Sequence, residues 1–243
     1  MTYFTGSVTP VPKRIRQDYI AQLHRAWPLM QKRGAVRMVE AWGEDIQPGK
    51  QTDFLRAVAA KDDEAVVFGW VEWPDKATSD AAWADIMQNG EEMSQAMGEV
   101  QYDGKRMIFG GFQKFVADGT DRGGYYTGFL TPVPKANRDA FAKMAKSAWE
   151  EEFQPRGCLG NYENWGDDVP HGRQTDMYRA VDAKDGEVIV MSWSAWPDRT
   201  TCEEAWRGMA AGMEAGQEMP DMPFDGKRMI WAGFEPLFDS EKA

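Results

Sequence analysis

The amino-acid sequence predicts an α+β fold built from two similar βαββαβ units that hide their sheets against each other within one chain. Three observations predict it. The chain repeats itself: YFTGSVTPVPK from Tyr3 to Lys13 returns as YYTGFLTPVPK from Tyr125 to Lys135, and DGKRMI from Asp103 to Ile108 returns from Asp225 to Ile230. A unit repeated once usually pairs with its copy. Extended and helical periodicities alternate in the same order in both halves. Finally, Val66, Phe68 and Trp70 alternate with Val67, Gly69 and Val71, so both faces of that strand are apolar, as when both are buried.

Each unit opens with an extended segment, Tyr3 to Val8 or Tyr125 to Leu130, that ends at Pro-x-Pro, where proline holds off a helix. Helical spacing follows at Ile15, Tyr19, Leu23, Ala26 and Met30, and at Phe141, Met144, Ala145, Ala148 and Trp149. Pro28 is expected to kink or end the first of these helices, and Gly34 or Gly157 to stop it. A second extended segment runs from Ala35 to Trp42 or Cys158 to Trp165. After a turn-rich loop, Thr52 to Val58 and Thr175 to Val181 are expected to pair as hairpin arms with Ala65 to Trp73 and Val188 to Trp196. A second helix begins after Trp-Pro-Asp, with Thr78 or Thr201 as its expected cap and a capping box of Thr201 with Glu204. The closing strand is RMIFGGF or RMIWAGF. The order is that of a ferredoxin-like layer with an extra strand-like piece.

Such a layer covers one sheet face with helices and leaves the other bare, and a bare apolar face far exceeds what a soluble monomer tolerates. The two units are therefore expected to pack sheet to sheet as an intrachain pseudo-dimeric barrel. Expected boundaries are 1–118 for the first repeat, 119–124 for a short Gly- and Asp-rich surface linker, and 125–243 for the second. Relative to the first half, the second gains one residue near Pro155 and loses one before Asp225.

At 243 residues, 42% hydrophobic and 12% aromatic, the chain can bury two cores, and its aromatic load argues against disorder. A net charge of -11 with dispersed Lys and Arg speaks against nucleic acid as a partner. No apolar run approaches the roughly 20 residues that span a bilayer, and MTYFTGSVTPVPKR lacks the pattern of a secretion signal, so a cytoplasmic location without membrane attachment is expected. Cys158 and Cys202 both lie in the second half, opposite Ala35 and Ser79, and read as buried small residues.

Taken together, Thr-Pro-Val-Pro after the first strand, Glu-x-Trp-Gly-(Asp/Glu)-Asp-(Ile/Val)-x-x-Gly-(Lys/Arg)-Gln-Thr-Asp, Trp-x-x-Trp-Pro-Asp and Asp-Gly-Lys-Arg-Met-Ile resemble the YbaA-like bacterial family of unknown function. The resemblance covers nearly all of each half. It implies the dimeric α+β barrel superfamily, here with two units in one chain where the family typically has one and dimerises. It implies no reaction.

Candidate site residues come from polar positions that both halves keep. Glu40 and Glu163 share a strand face with Trp42 and Trp165, and if that face lines the barrel, burial raises their pKa toward that of a general base. Arg106 and Arg228 are the cations expected near them, either as structural ion pairs or to receive a ligand carboxylate; Trp70 and Trp193 complete the expected lining. Asp45 with Gly49, and Asp168 with Gly172, read as turn formers, and Thr52-Asp53 and Thr175-Asp176 as local caps. Met209, Met213, Met219 and Met222 read as filling around a helix. His24 and His171 have no counterpart in the other half, and neither HExxH, CxxC nor a phosphate loop is present, so no metal and no cofactor are expected. Three functions remain open: a small-molecule-binding barrel, a cofactor-free oxygenase or isomerase using the glutamate, and a structural or interaction protein with a solid core, with further pairing of the intact chain left open.

Overall fold

In the computed structural model, which describes residues 1–214 and 221–242, eight strands close into one antiparallel barrel carrying helices on its outside. The first half contributes β1 (Tyr3–Pro12), α1 (Arg16–Lys32), β2 (Arg37–Gly43), the one-turn α2 (Phe54–Ala57), β3 (Glu64–Trp73), α3 (Lys76–Asn89), α4 (Glu91–Met97) and β4 (Ile108–Gly119). The second contributes β5 (Tyr125–Pro134), α5 (Arg138–Ala148), β6 (Gly160–Asp168), the one-turn α6 (Met177–Ala180), β7 (Glu187–Trp196), α7 (Arg199–Glu214) and β8 (Ile230–Asp239). Around the barrel the order is β1-β3-β2-β8-β5-β7-β6-β4. The halves join edge to edge, β2 with β8 and β4 with β6, which leaves no open sheet edge among the described residues.

One side of every strand points into the barrel, and rings fill that space. Trp70 stacks on Trp193 with centroids 4.3 Å apart, Phe4 meets Trp193 edge-on at 5.1 Å, and Phe68 lies against Phe234 at 5.2 Å. Each of these contacts joins one half to the other, so each sheet hides the other's inner face, as the apolar pattern of both parities predicts. The outer face of the first half carries a separate apolar layer, in which Tyr19, Leu23 and Met30 of α1 meet Met38, Trp42, Val67 and Val71.

Several local expectations need correction. Thr52 to Val58 and Thr175 to Val181 are not hairpin arms: Asp53 and Asp176 accept the backbone N–H of Arg56 and Arg179 and start α2 and α6, while β2 and β6 take the places beside β3 and β7. Pro28 does not end α1, which runs on to Lys32 because packing of its apolar side outweighs one lost backbone bond. The caps of α3 and α7 are Asp75 and Asp198, which accept from the N–H of Thr78 and Thr201 at 2.8 Å. The linker is not merely a surface strap, since Asp121 is buried against Arg37. The residue gained in the second half is absorbed by a π turn at Trp149–Phe153, so that Gly157, with φ 89°, ends its helix as Gly34, with φ 95°, ends α1.

Candidate functional site

Helices α1, α3 and α4 cover the outer face of the first half's sheet without filling the space beneath them, leaving a cavity of about 770 Å³. Strand alternation makes its floor: Phe4 and Val8 of β1 point into the barrel, while Thr5, Ser7 and Thr9 face the cavity. Tyr19, Leu23, Ala26 and Met30 of α1 and Trp83, Ile86 and Met87 of α3 form the walls, with Met93 and Met97 of α4, Tyr102 and Met107 closing them. Thr5 anchors floor to wall, accepting hydrogen bonds from the indoles of Trp73 at 3.1 Å and Trp83 at 3.0 Å. The Tyr3 hydroxyl is buried beside this floor without a hydrogen-bond partner among the described residues.

Glu40 is the charged group set deepest in this wall. Its one side-chain hydrogen bond is long, from the Tyr19 hydroxyl at 3.4 Å, and among the described residues it has no ion pair. Burial pushes its carboxyl up to about 8, against the pull of the Tyr19 bond in the other direction. Tyr19 is held well above the ordinary phenol range by burial and then by Glu40; Tyr102, edge-on to Tyr19 at 5.6 Å, is pushed up to about 12 for the same two reasons. Across the β2–β3 ladder stands Gly69, where a Cβ would come within 2.4 Å of the carboxylate, so a larger residue there would make the Glu40 side chain shift. A bulge between Glu40 and Ala41 interrupts the pairing with β8 at the same point.

The second half keeps the glutamate and changes its surroundings. Glu163 accepts hydrogen bonds from the Ser192 hydroxyl, which stands where the first half has Gly69, and from Asn161 Nδ2 at 3.0 Å. Burial pushes its carboxyl up to about 7, with both bonds pulling it down. Tyr19 and Tyr102 correspond to Phe141 and Phe224, whose rings meet at 5.7 Å. Ser7 corresponds to Phe129, near Trp206, which in turn stacks on Trp231 at 4.7 Å. A carboxyl group with two side-chain hydrogen bonds replaces one that has a single long bond and faces a cavity.

Of the expected site residues, the structure brings Glu40 and Trp70 to the cavity border, although the Trp70 ring itself packs inside the barrel. The face shared by Glu40 and Trp42 does not line the barrel: it looks outward beneath α1, where Trp42 is buried and Arg16 lies over its ring. Trp165 likewise packs outside, against Phe115 and Arg138, and Trp193 lies wholly inside. Arg106 and Arg228 do not meet the glutamates. Arg106 forms a two-pronged pair with Glu64, both bonds 2.7 Å, and adds Asp103 at 3.0 Å; Arg228 holds Glu187 and Asp225 in the same way. Both guanidiniums are consumed by these partners, because the strand ends carrying Glu64 and Glu187 lie nearer than β2 and β6. Of the methionines read as filling, Met213 and Met222 are exposed and Met219 lies outside the described residues. Tyr19, Tyr102, Ser7 and Gly69 are not among the polar positions that both halves keep; the signal that marks them is difference between the halves. Among the described residues, no group of three His, Cys, Asp or Glu side chains is placed to hold a metal ion, and no helix is long and apolar enough to cross a membrane.

Comparison with known proteins gives a family and a fold. The profile of DUF1428, a protein of unknown function, matches residues 2–104 and again 124–226. The uncharacterized protein YbaA of Escherichia coli K12 is 40% identical over 116 residues, which cover 48% of this chain and 98% of that protein. Among solved structures, a proposed monooxygenase from Lactobacillus acidophilus superposes with a TM-score of 0.55 at 9% identity, covering 98% of this chain and 95% of the other. One from Fusobacterium nucleatum gives 0.52 at 11% identity, with 98% and 93% covered.

Proposed function

Because this chain belongs to the DUF1428 family of proteins of unknown function, with the family's unit present twice, we propose its function from the site alone: the first half binds a small, largely apolar or aromatic molecule in the cavity between sheet and helices, oriented by a hydrogen bond to Glu40. One observation carries this: an apolar cavity of about 770 Å³ closes over a single buried carboxyl group with no ion-pair partner among the described residues. Cavities of this size suit drug-sized ligands, whose apolar surface supplies affinity while a few polar groups supply orientation.

The barrel that carries the cavity is taken as two ferredoxin-like units, 1–118 and 125–243 about a linker at 119–124, a division supported by the matching orders β4-β1-β3-β2 and β8-β5-β7-β6. A filled barrel interior and an external cavity serve different ends, so the structural role belongs to the former and binding to the latter. Likeness to proposed monooxygenases at 9% and 11% identity supports a common fold and lends no reaction. A cytoplasmic location is proposed because both cysteines are free and buried.

The test uses a residue the second half already carries. Ser7→Phe places on the cavity floor the ring that Phe129 supplies in the other half. Titration calorimetry with 2-naphthol, a bicyclic phenol, is expected to show saturable binding to the full chain and at least about tenfold weaker binding to Ser7→Phe at an unchanged melting temperature. Equal binding by both proteins, or by neither, would remove the cavity from the account.

A further inference from the structure

We infer that the first-half cavity is a proton-transfer site for enolisable carbonyl compounds, with Glu40 as the base at the carbon beside the carbonyl and the hydroxyls of Tyr19 and Tyr102 at the carbonyl oxygen. It rests on the binding proposed above and adds what happens to the bound molecule.

The donor set selects the class. Around Glu40 the cavity supplies neutral hydroxyl donors, and among the described residues no Lys or Arg pairs with the carboxylate. Tyr19 lies at 3.4 Å, Tyr102 edge-on to it, and farther along the floor is the hydroxyl of Tyr3, unpartnered among the described residues, with Lys76 over its ring. An anionic ligand would meet a carboxylate without a compensating guanidinium, since Arg106 is taken up by Glu64 and Asp103. A neutral molecule that develops negative charge on oxygen fits instead, because tyrosines that hold their protons donate to that oxygen as charge appears. Gly69 and the bulge at Glu40/Ala41 leave the carboxylate free of the bonds that immobilise Glu163.

The step balances without an outside reagent. The carboxylate takes the proton from carbon, the C–H electron pair becomes the carbon–carbon double bond of the enolate, and the carbonyl π pair moves to oxygen, where a tyrosine hydroxyl receives it in a hydrogen bond. Return of the proton to the same carbon exchanges isotopes with solvent. Return to a conjugated carbon two bonds farther moves a double bond. With phenylalanines at positions 141 and 224 and its carboxyl group occupied, the second half has no such site among its described residues.

The titratable groups facing Glu40 are Tyr19 from α1 and Tyr102 from the segment before β4; β3 presents Gly69 and β8 presents Phe238. The probe is 2-tetralone, a bicyclic ketone with acidic protons next to its carbonyl, given to the full chain in D2O and followed by NMR. Expected are saturable binding and hydrogen–deuterium exchange at C1 about a hundredfold above the buffer rate, rising with pH to a plateau above about 8. Glu40→Gln, nearly the same size, should bind the ketone within about threefold of the parent and lose the acceleration; Tyr19→Phe with Tyr102→Phe should bind and exchange at least about tenfold more slowly. Binding at the buffer exchange rate overturns proton transfer and leaves the binding proposal standing. Undiminished acceleration by Glu40→Gln overturns the role of Glu40. Failure of 2-tetralone to bind where 2-naphthol binds overturns the carbonyl class.

Discussion

Glu40 and Glu163 sit at equivalent strand positions, and their neighbours give them different lives. A carboxyl group whose folded pKa is raised holds its proton in the fold where the unfolded chain has released it. Its contribution to stability is therefore fully present below the ordinary value of 4.5 and is lost as pH rises to about 8 for Glu40 and to about 7 for Glu163. Each pKa unit is worth about 1.4 kcal/mol. The chain should thus lose on the order of 2 kcal/mol or more between mildly acidic and mildly alkaline pH, and Glu40→Gln should flatten that loss, as read by denaturant titrations across the range. Superimposable pH profiles for the two proteins would show that Glu40 ionises freely. The glutamates themselves were legible as shared polar positions beside tryptophan. Their tyrosine, serine and glycine neighbours were not, because a single aromatic in a helical pattern reads as core until the helix is seen to stand over the strand.

At the scale of elements, the strands were legible because alternation and repetition point the same way at Tyr3 to Val8 and Ala65 to Trp73, and α2 was not, since four residues show no period. The ends of elements depend on contacts far away in sequence. Arg37, at 1% exposure, opens β2 and ties it to both the linker and the chain's last strand, pairing with Asp121 at 2.8 Å and Asp239 at 2.9 Å. Removing one partner of a buried pair strands the other charges, at a cost of about 3–5 kcal/mol. Arg37→Ala should show that loss in chemical denaturation, and a loss below about 1 kcal/mol would mean that water satisfies Asp121 and Asp239 without it.

For the whole molecule, closure is the governing fact. A chain ending at Asp118 would expose the edges of β2 and β4 together with the inner ring face built on Phe4, Phe68, Trp70 and Phe112. It should dimerise through those edges or aggregate, and light scattering showing a stable, monodisperse monomer would contradict the account of the barrel.

Repetition and the two-sided apolar strands were enough, by themselves, to dictate an α+β chain whose halves conceal each other, because those properties are local and periodic. Which side of β2 faces α1, which arginine pairs with which glutamate, and that the cavity lies outside the barrel under α1 were decided only in three dimensions. Strand periodicity divides residues between two faces; only closure of the barrel says which face becomes the interior.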